Sequence, residues 1–335
     1  MPRVVVGRAA WPRLCKLGRQ PPRGIFRRTG CGIVLTIGKL VRRAHSGASA
    51  LLRRTAPSTK PYKIGKHTVL LNREHLLPEY QSRHRLYDRF LPIFCKLFDH
   101  TDHWIIDVGA NVGDTAVAVA QACRNPILCI EGDDAFFDLL KHNVDSLFGK
   151  RERPVHCVKA LAGSGRFSGF LKNDGTTAGL APSDASGRRA AALDDLLSAV
   201  GAPLTAIALI KVDTDGYDWD VILSARSILT ASRPAIFWEN YFSTIEQMRA
   251  LEVLYQNLFD AGYHYFWVFD NYGNLMLREC GANNIVDLNE YVWSQEFYGC
   301  TRSIFYTDVL AVTDDKLARA REAIAVFRSS EIKQE

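Results

Sequence analysis

The sequence predicts an α/β fold in which helices cover both faces of a doubly wound, mostly parallel β-sheet. From Trp104 onward, short apolar runs alternate with segments of helical periodicity, which is the pattern of repeated βα units. A glycine-rich turn at residues 109–113 directly follows the first of these strands, and a charged cluster at residues 211–218 follows a later one. Sheets of this kind bind ligands at the carboxyl ends of their strands. We therefore expect the functional site at that edge.

The first half of the pattern indicates a parallel βαβαβ unit, and the second half continues it. Between the halves we expect a hairpin at 162–172 and a polar loop at 173–189, which is long enough to act as a substrate lid. The first half predicts strands at 104–108, 126–131 and 155–159 and helices at 113–123 and 134–147. The second half predicts helix 193–200, strand 207–212, helix 219–229, strand 235–238 and helix 244–261.

The C-terminal part of the pattern differs, because no clear crossover helix separates its strands. Strands at 263–269 and 304–312, with a turn at 271–274, predict an antiparallel edge on the sheet. We place the main domain at residues 101–315. The flanking segments are a basic N-terminal extension at 1–60, a helical lead-in on the substrate side at 61–100 and a helical C-terminal tail at 316–335.

The positive charge of the chain is confined to its beginning. The formal net charge is +6, yet residues 1–60 hold fourteen Lys and Arg and no Asp or Glu, so the remainder is acidic. A nucleic-acid enzyme would carry its basic residues on the folded domain, and we exclude that class. The extension could be a disordered tail, a segment that weakly contacts a membrane surface, a targeting presequence or translated sequence upstream of the true start.

The sequence favours a soluble, cytoplasmic protein. No apolar run approaches the roughly 18 to 20 residues that a membrane-spanning helix requires. The eight cysteines form no C-x-x-C pair, which indicates a reducing compartment and argues against structural zinc. The nine histidines form no zinc-hydrolase motif, and the G-x-S-x-G motif of serine hydrolases is absent. His75 could reach the site, but a structural role for it is favoured.

The turn after the first strand has the features of a cofactor loop. Its spacing is G-x-N-x-G, which differs from the G-x-G-x-x-G of dinucleotide sites, and it lacks a P-loop lysine, so pyrophosphate binding is not favoured. The methionine moiety of S-adenosylmethionine (SAM) would suit it. Asp107 would lie near the ammonium group, while Asn111 and the backbone amides of Gly109, Ala110 and Gly113 would lie near the carboxylate. The alternative is an ordinary tight turn.

A carboxylate at the end of the second strand supports a nucleoside site. Glu131 lies roughly 20 residues beyond the loop, where a ribose hydroxyl pair would sit. This residue fits NAD as well as SAM, so it does not choose between the two cofactors.

The most informative later segment is residues 209–218, where an apolar strand becomes a cluster of charged side chains. Methyl transfer requires residues that position the acceptor and take its proton, and the candidates are Lys211, Asp213, Asp215 and Glu239. Alternatively, Lys211 pairs with Asp213 and Asp218 caps a helix. A divalent cation on the aspartates is possible but not favoured, and no metal ligand is assigned.

Taken in order, these motifs resemble the FkbM-type methyltransferase family across about residues 67–312. Residues 107–115 (DVGANVGDT) are similar to its opening motif, 193–196 (LDDL) to a second, and 210–216 (IKVDTDG) to its I-K-x-D-x-E-G motif. Residues 75–78 (HLLP) and 87–90 (YDRF) resemble a substrate-side lead-in. The resemblance implies SAM as cofactor, a seven-stranded class I sheet, O-methylation and a cofactor role for Thr115. Asp215 stands where the family more often has Glu.

The sequence is compatible with three functions. The first is a SAM-dependent O-methyltransferase that acts on a hydroxyl of a sugar, a glycan or a small natural product. The second is a nicotinamide-dependent oxidoreductase on a related sheet. The third is a non-catalytic scaffold that binds glycans or proteins through its aromatic residues, which include Tyr263, Tyr265, Trp267 and Trp293. The oligomeric state is left open.

Overall fold

The structure is a computed structural model that describes residues 58–99, 101–150, 152–182, 188–297 and 303–332. The predicted N-terminal extension lies outside the described residues, except for residues 58–60. The strands are β1 (Thr59–Ile64), β2 (His67–Asn72), β3 (Trp104–Val108), β4 (Ile127–Glu131), β5 (Val155–Lys159), β6 (Ser168–Asn173), β7 (Ala178–Pro182), β8 (Arg188–Arg189), β9 (Ile207–Val212), β10 (Ala235–Asn240), β11 (Tyr263–Asp270), β12 (Leu275–Cys280) and β13 (Thr307–Thr313).

The described helices lie between and after these strands. They are α1 (Leu77–Arg83), α2 (Phe90–Lys96), α3 (Asp114–Ala122), α4 (Asp134–Phe148), α5 (Leu193–Ala199), α6 (Asp218–Ser224), α7 (Arg226–Ala231), α8 (Ile245–Asp260), α9 (Ala282–Phe297) and α10 (Leu317–Ile332), with a 3₁₀ turn at Asp314–Lys316. All belong to the unit Pro57–Glu335. None of the described helices has the length and apolarity needed to cross a membrane.

An eight-stranded sheet forms the centre of the fold, in the order β12-β11-β13-β10-β9-β3-β4-β5. Strands β10, β9, β3, β4 and β5 are parallel to one another. Strand β13 is antiparallel to both of its neighbours, and β12 is antiparallel to β11. The predicted α/β fold with a mostly parallel sheet is therefore confirmed.

Two hydrophobic cores, one on each face of the sheet, show why it is doubly wound. Ile106 and Ile210 point into the core made with α5 to α9, whereas Ile105 and Leu209 point into the core made with α2, α3, α4 and α10. Successive side chains of a strand face opposite sides, so strands covered on both faces are apolar throughout. Accordingly, every residue of β4 and β9 is buried.

The sheet has eight strands rather than the predicted seven, and its antiparallel strand is not where the sequence placed it. After β11, the carboxylate of Asp270 accepts hydrogen bonds from the backbone N–H groups of Tyr272 and Asn274. This turn reverses the chain, so β12 is added as the edge strand. Strand β13 then lies between β10 and β11 rather than at the edge.

Helix α9 contradicts the expectation that no crossover helix precedes the last strand. It spans sixteen residues between β12 and β13. Its first turn contains Asn283 and Asn284, and Asn is a poor helix former, so the start of the helix is weakly marked in the sequence. Ile285 and Val292 are nevertheless buried, and they pack into the same core as Ile106.

The segment predicted as a hairpin followed by a long loop is arranged differently. Asp174 accepts hydrogen bonds from the backbone N–H groups of Thr176 and Thr177, which closes a turn. The hairpin therefore consists of β6 and β7, and it lies later in the chain than predicted. The described part of the expected loop is largely strand.

Two further elements depart from the sequence pattern. The helix expected at 219–229 is two helices, α6 and α7, because the backbone N–H of Ala225 bonds to the carbonyl of Ile222 and ends the first helix there. The helical lead-in contains α1 and α2, but it begins with the antiparallel hairpin β1–β2. This hairpin packs Val69 and Leu71 against Val117 of α3 and Phe136 of α4.

Candidate functional site

The turn after β3 adopts a backbone that favours glycine. Gly109, Asn111 and Gly113 have φ values of 73°, 49° and 85°, and Asn tolerates this left-handed region better than most residues do. A Cβ atom at Gly109 would lie 1.8 Å from the carbonyl oxygen of Asp213. The loop therefore packs directly against the segment that follows β9, which brings the two sequence motifs together.

Glu131, at the end of β4, holds this loop in place. Its Oε2 atom accepts a 2.8 Å hydrogen bond from the backbone N–H of Asn111, and its Oε1 atom accepts a 2.6 Å bond from the N–H of Asp133. The side chain is buried, and this burial raises the pKa of Glu131 to about 7. Each carboxylate oxygen retains a further lone pair.

The Asn111 side chain connects the loop to two neighbouring segments. Its Nδ2 group donates to the carbonyl of Thr176, over 2.8 Å, and its Oδ1 atom lies 3.4 Å from Nε2 of His75. Because Nδ1 of His75 accepts the backbone N–H of Leu77, the hydrogen of the neutral ring is assigned to Nε2, which can donate to Asn111. Burial lowers the pKa of His75, which favours this neutral form.

Lys211 is the buried cation of the site. Its Nζ atom lies 3.1 Å from Oδ1 of Asp107 and 3.3 Å from Oδ2 of Asp213, and it donates to the carbonyl of Gly109 over 3.2 Å. Burial disfavours the charge, but the carboxylates of Asp107 and Asp213 raise the pKa of Lys211 well above its usual value. Oδ2 of Asp107 is buried and has no hydrogen-bond partner among the described residues.

Two carboxyl groups stand opposite each other at the ends of β10 and β13. Glu239 and Asp308 are cross-strand partners in the antiparallel register. Burial, followed by the charge of Asp213, raises the pKa of both groups well above the usual value. Oε2 of Glu239 is buried and has no hydrogen-bond partner in the part of the chain that the structure describes. Asp308 was not among the site residues predicted from the sequence. It is the one charged residue of the otherwise mostly apolar strand TDVLAVT, and this pattern could have identified it.

The acidic residues after β9 differ in their surroundings. Asp215 has a left-handed φ of 51°, and burial followed by the charge of Asp213 raises its pKa to about 6. Asp218 accepts hydrogen bonds from Oγ1 of Thr214 and from the N–H groups of Thr214 and Gly216. It therefore stabilises the turn before α6 and does not act as the N-cap of that helix.

These groups face one cavity of about 580 Å³ at the carboxyl edge of the sheet. The predicted site residues that line the cavity are Gly109, Asn111, Thr115, Glu131, Lys211, Asp213, Asp215 and Glu239. Asp107, Ala110 and Gly113 do not line it: Asp107 lies behind Lys211, and Ala110 and Gly113 are buried within the loop. The cavity is also lined by Tyr87, Asp88, Tyr306 and Asp308.

A comparison with known protein families identifies the central part of the chain. Residues 107–265 match the family described as the methyltransferase FkbM domain. This part of the chain is therefore similar to an FkbM methyltransferase domain. This result confirms the resemblance that the sequence motifs indicated, and the matched residues include both the glycine loop and the cluster after β9. No curated protein sequence matches the chain.

Solved methyltransferase structures align with the chain at low identity. A SAM-dependent methyltransferase from Agrobacterium tumefaciens aligns at 12% identity and a TM-score of 0.43, covering 77% of this chain and 70% of its own. The O-methyltransferase from Bacillus cereus in complex with SAH aligns at 12% identity and 0.38, covering 71% and 89%. The methyltransferase FkbM from Methylobacillus flagellatus KT aligns at 13% identity and 0.33, covering 63% and 43%.

The cavity of the FkbM domain is completed by residues outside the matched region. Tyr87 and Asp88 come from the segment between α1 and α2, and Tyr306 and Asp308 come from the start of β13. Burial, followed by the charge of Asp114, raises the pKa of Asp88 to about 8. Among the described residues, no group of three or more His, Cys, Asp or Glu is arranged to hold a metal ion.

The aromatic residues considered for a glycan-binding surface lie in or against the core of the FkbM domain fold. Tyr263 and Trp267 are buried, while Tyr265 and Trp293 are partly buried and pack against the two cores. These four rings therefore pack as core and edge residues, which is the role that the sequence pattern favours for them, and they do not form the surface that the scaffold alternative requires. Strand β11 is covered on both faces. The sequence alone could not show this, because aromatic residues that alternate with apolar ones occur both in covered strands and on exposed surfaces.

Proposed function

We propose that this protein is a SAM-dependent O-methyltransferase that acts on a hydroxyl of a sugar, a glycan or a small natural product. One observation carries the proposal: a single cavity of the FkbM domain is lined by the glycine loop, by Glu131 and by the charged residues that end β9 and β10. The loop and Glu131 supply a nucleoside-binding side, and the charged residues supply a side on which an acceptor can be positioned.

The residues of the cavity fit SAM in size and in chemistry. The volume of about 580 Å³ lies in the range of small-molecule sites. SAM carries an ammonium group and a sulfonium, and the lining is rich in carboxylates that can face positive charge. A buried acceptor atom without a partner, Oε2 of Glu239, also borders the cavity. A buried polar atom of this kind is costly to leave unsatisfied, so a ligand group that pairs with it would be stabilising.

The proposed binding roles follow from which atoms face the cavity. Gly109, Asn111 and Thr115 would hold the methionine moiety, and Glu131 would accept hydrogen bonds from the ribose hydroxyls. Asp107 takes a different role from the predicted one, because it does not reach the cavity. Its carboxylate pairs with Lys211 and so fixes the position of that cation.

When bound, SAM supplies an electrophilic methyl group on a sulfonium. The protein must then orient the acceptor hydroxyl and take its proton. Asp215 suits the proton transfer best, because a pKa of about 6 leaves it ionised and basic near neutral pH. Lys211 keeps its proton and places a positive charge near the acceptor, and Asp213, 3.3 Å away, orients it. Burial, followed by the charge of Asp213, raises the pKa of Glu239 well above its usual value.

Mass spectrometry of methylated products tests this function. Purified protein would be incubated with SAM and with glycan and small-molecule extracts from cells that lack the gene. We expect S-adenosylhomocysteine to form together with a product that is heavier by one CH₂ group, and Asp215→Asn to lower its rate of formation. SAM that binds but is never consumed, over a broad panel of extracts, would support the scaffold instead. We place this activity in the cytoplasm, because the cysteines form no C-x-x-C pair, which indicates a reducing compartment.

A further inference from the structure

The part of the cavity beside β10, β13 and β11 has an aromatic wall. The ring centroid of Phe90 lies 4.8 Å from that of Phe269 and 6.0 Å from that of Phe237, and the last two are 6.1 Å apart. All three residues line the cavity. The wall adjoins the carboxyl pair, because Asp308 is the cross-strand partner of both Phe269 and Glu239.

This region belongs to the acceptor side rather than to the cofactor side. Strand β13, which carries Asp308, is three strands away from β3, which leads into the glycine loop. Neighbouring strands are about 4.8 Å apart, so this separation is about 14 Å across the sheet. Glu131 lies on β4, which is the neighbour of β3 on the side away from β13. The carboxyl pair is thus too distant to share the groups that hold the nucleoside.

The carboxyl groups of this region have few cationic side chains beside them that could balance their ionisation. Asp88, Asp213, Glu239 and Asp308 all line the cavity. Besides desolvation, which is the largest cause, the charge of Asp213 raises the pKa of each of the other three carboxyl groups. The cationic side chains that line the described cavity are Lys211 and Arg89. Lys211 is already engaged by Asp107, by Asp213 and by the carbonyl of Gly109. Arg89 is exposed.

The side chain of Glu239 independently indicates that a ligand supplies a hydrogen-bond donor at this place. Its Oε2 atom is buried and has no hydrogen-bond partner among the described residues. Buried carboxyl oxygens are normally paired, and an N–H donor that carries positive charge is the strongest partner for one. An aromatic wall beside such a group is a further cation-binding element, because the faces of the rings are electronegative.

We propose that the acceptor carries a protonated amine, which binds between the carboxyl pair Glu239–Asp308 and the aromatic wall of Phe90, Phe237 and Phe269. This inference rests on the proposed function and specifies its substrate class: an amino sugar or another amine-bearing alcohol, rather than a neutral glycan. The raised pKa of both carboxyl groups agrees with it, because their ionisation in the ligand-free site lacks a counter-charge. Binding of the ammonium group would release protons from them.

Two isosteric probes test the inference without knowledge of the acceptor. Benzylammonium chloride and benzyl alcohol differ in the ammonium group, and both offer one ring to the aromatic wall. Their binding to the full chain would be measured by ligand-observed NMR, with and without SAM. We expect benzylammonium to bind at least about tenfold more tightly, since a cation near an aromatic face and an ion pair each contribute on that scale. Calorimetry in two buffers would detect the released protons.

Variants of the two carboxyl groups test whether benzylammonium binds beside them. Glu239→Gln and Asp308→Asn should each reduce the preference for benzylammonium severalfold, whereas Asp145→Asn should leave it unchanged, because Asp145 is an exposed residue of α4 that pairs with Lys141. Equal binding of the two probes to the wild-type protein overturns the inference, even if the variants fail to fold. An unchanged preference in both folded cavity variants overturns it as well.

The same samples separate this inference from the proposed function. Calorimetric binding of SAM without a preference for benzylammonium would contradict the cationic acceptor and leave the methyltransferase proposal in place. A preference for benzylammonium without SAM binding would contradict the methyltransferase proposal and, with it, the assignment of this region to an acceptor.

Discussion

The backbone N–H of Asn111 donates a 2.8 Å hydrogen bond to Oε2 of Glu131, which joins the turn after β3 to the end of β4. The carboxylate that would bind the ribose therefore also fixes the conformation of the loop that would bind the methionine moiety. These two parts of the cofactor site are linked through one side chain. A change at Glu131 should affect both.

Glu131→Gln should weaken SAM binding by about tenfold or more. The substitution removes the charge, and it places an amide NH₂ group against one of the two backbone N–H donors, those of Asn111 and Asp133. Hydrogen bonds to charged groups contribute about 1.5 to 3 kcal/mol each. Calorimetric titration measures the change, with Glu152→Gln, at an exposed position, as the control. An unchanged affinity in the folded variant would contradict the assignment of Glu131.

Gly109→Ala should destabilise the protein far more than Gly201→Ala. Both glycines have φ near 73°, so both substitutions introduce the same backbone strain of about 1 to 2 kcal/mol. At Gly109 the new Cβ would also lie 1.8 Å from the carbonyl oxygen of Asp213, whereas at Gly201 nothing lies within 4 Å. Urea denaturation should show the larger loss of unfolding free energy for Gly109→Ala. Equal losses would mean that the loop does not pack against Asp213.

Lys211→Met should lower the free energy of unfolding by about 3 to 5 kcal/mol, because it leaves the buried carboxylate of Asp107 without its cation. The double variant Asp107→Leu/Lys211→Met should be more stable than Lys211→Met alone, since it replaces the ion pair by apolar side chains. Chemical denaturation of the two single variants and the double variant measures this coupling. Additive losses would show that Asp107 and Lys211 do not depend on each other.

The ligand-free protein should lose stability as the pH rises toward 8. Burial raises the pKa of Asp88 to about 8, far above its value in an unfolded chain. The native state therefore binds an extra proton between about pH 4 and pH 8, so this contribution is fully present at the acidic end and is lost as the pH rises through 8. Asp88→Asn, which removes the titrating group, should flatten the dependence of the melting temperature on pH. A slope equal to that of the wild-type protein would contradict the raised pKa of Asp88.

Much of the parallel half of the fold could be predicted from the sequence, for a physical reason. Strands covered on both faces, such as β4 and β9, are apolar along their whole length, and their ends are marked by Glu131 and by Asp213. Strand β12 alternates exposed and half-buried residues, and helix α9 has two Asn residues in its first turn, so neither has a strong pattern. Their positions depend on packing against β11, which a local pattern does not contain.

The sequence predicted which residues belong to the candidate site better than it predicted which of them contact one another. Residue spacing placed Glu131, Lys211 and Asp213 at one edge of the sheet, and the structure brings them to one cavity. Spacing could not show that Asp107 faces Lys211 rather than the cavity, because the direction of a side chain at a strand end depends on its neighbours. Asp308 was missed because its partner, Glu239, is distant in sequence and the two meet only through the antiparallel register.

Calorimetric titration of the purified, ligand-free protein with SAM and, separately, with NAD distinguishes the two nucleoside cofactors. A Rossmann-like sheet with a carboxylate at the end of β4 could accept either one, whereas the G-x-N-x-G loop and the match to the FkbM domain favour SAM. We expect saturable heat with SAM at one site per chain and none with NAD. Heat from NAD and none from SAM would show that the cavity is not a SAM site.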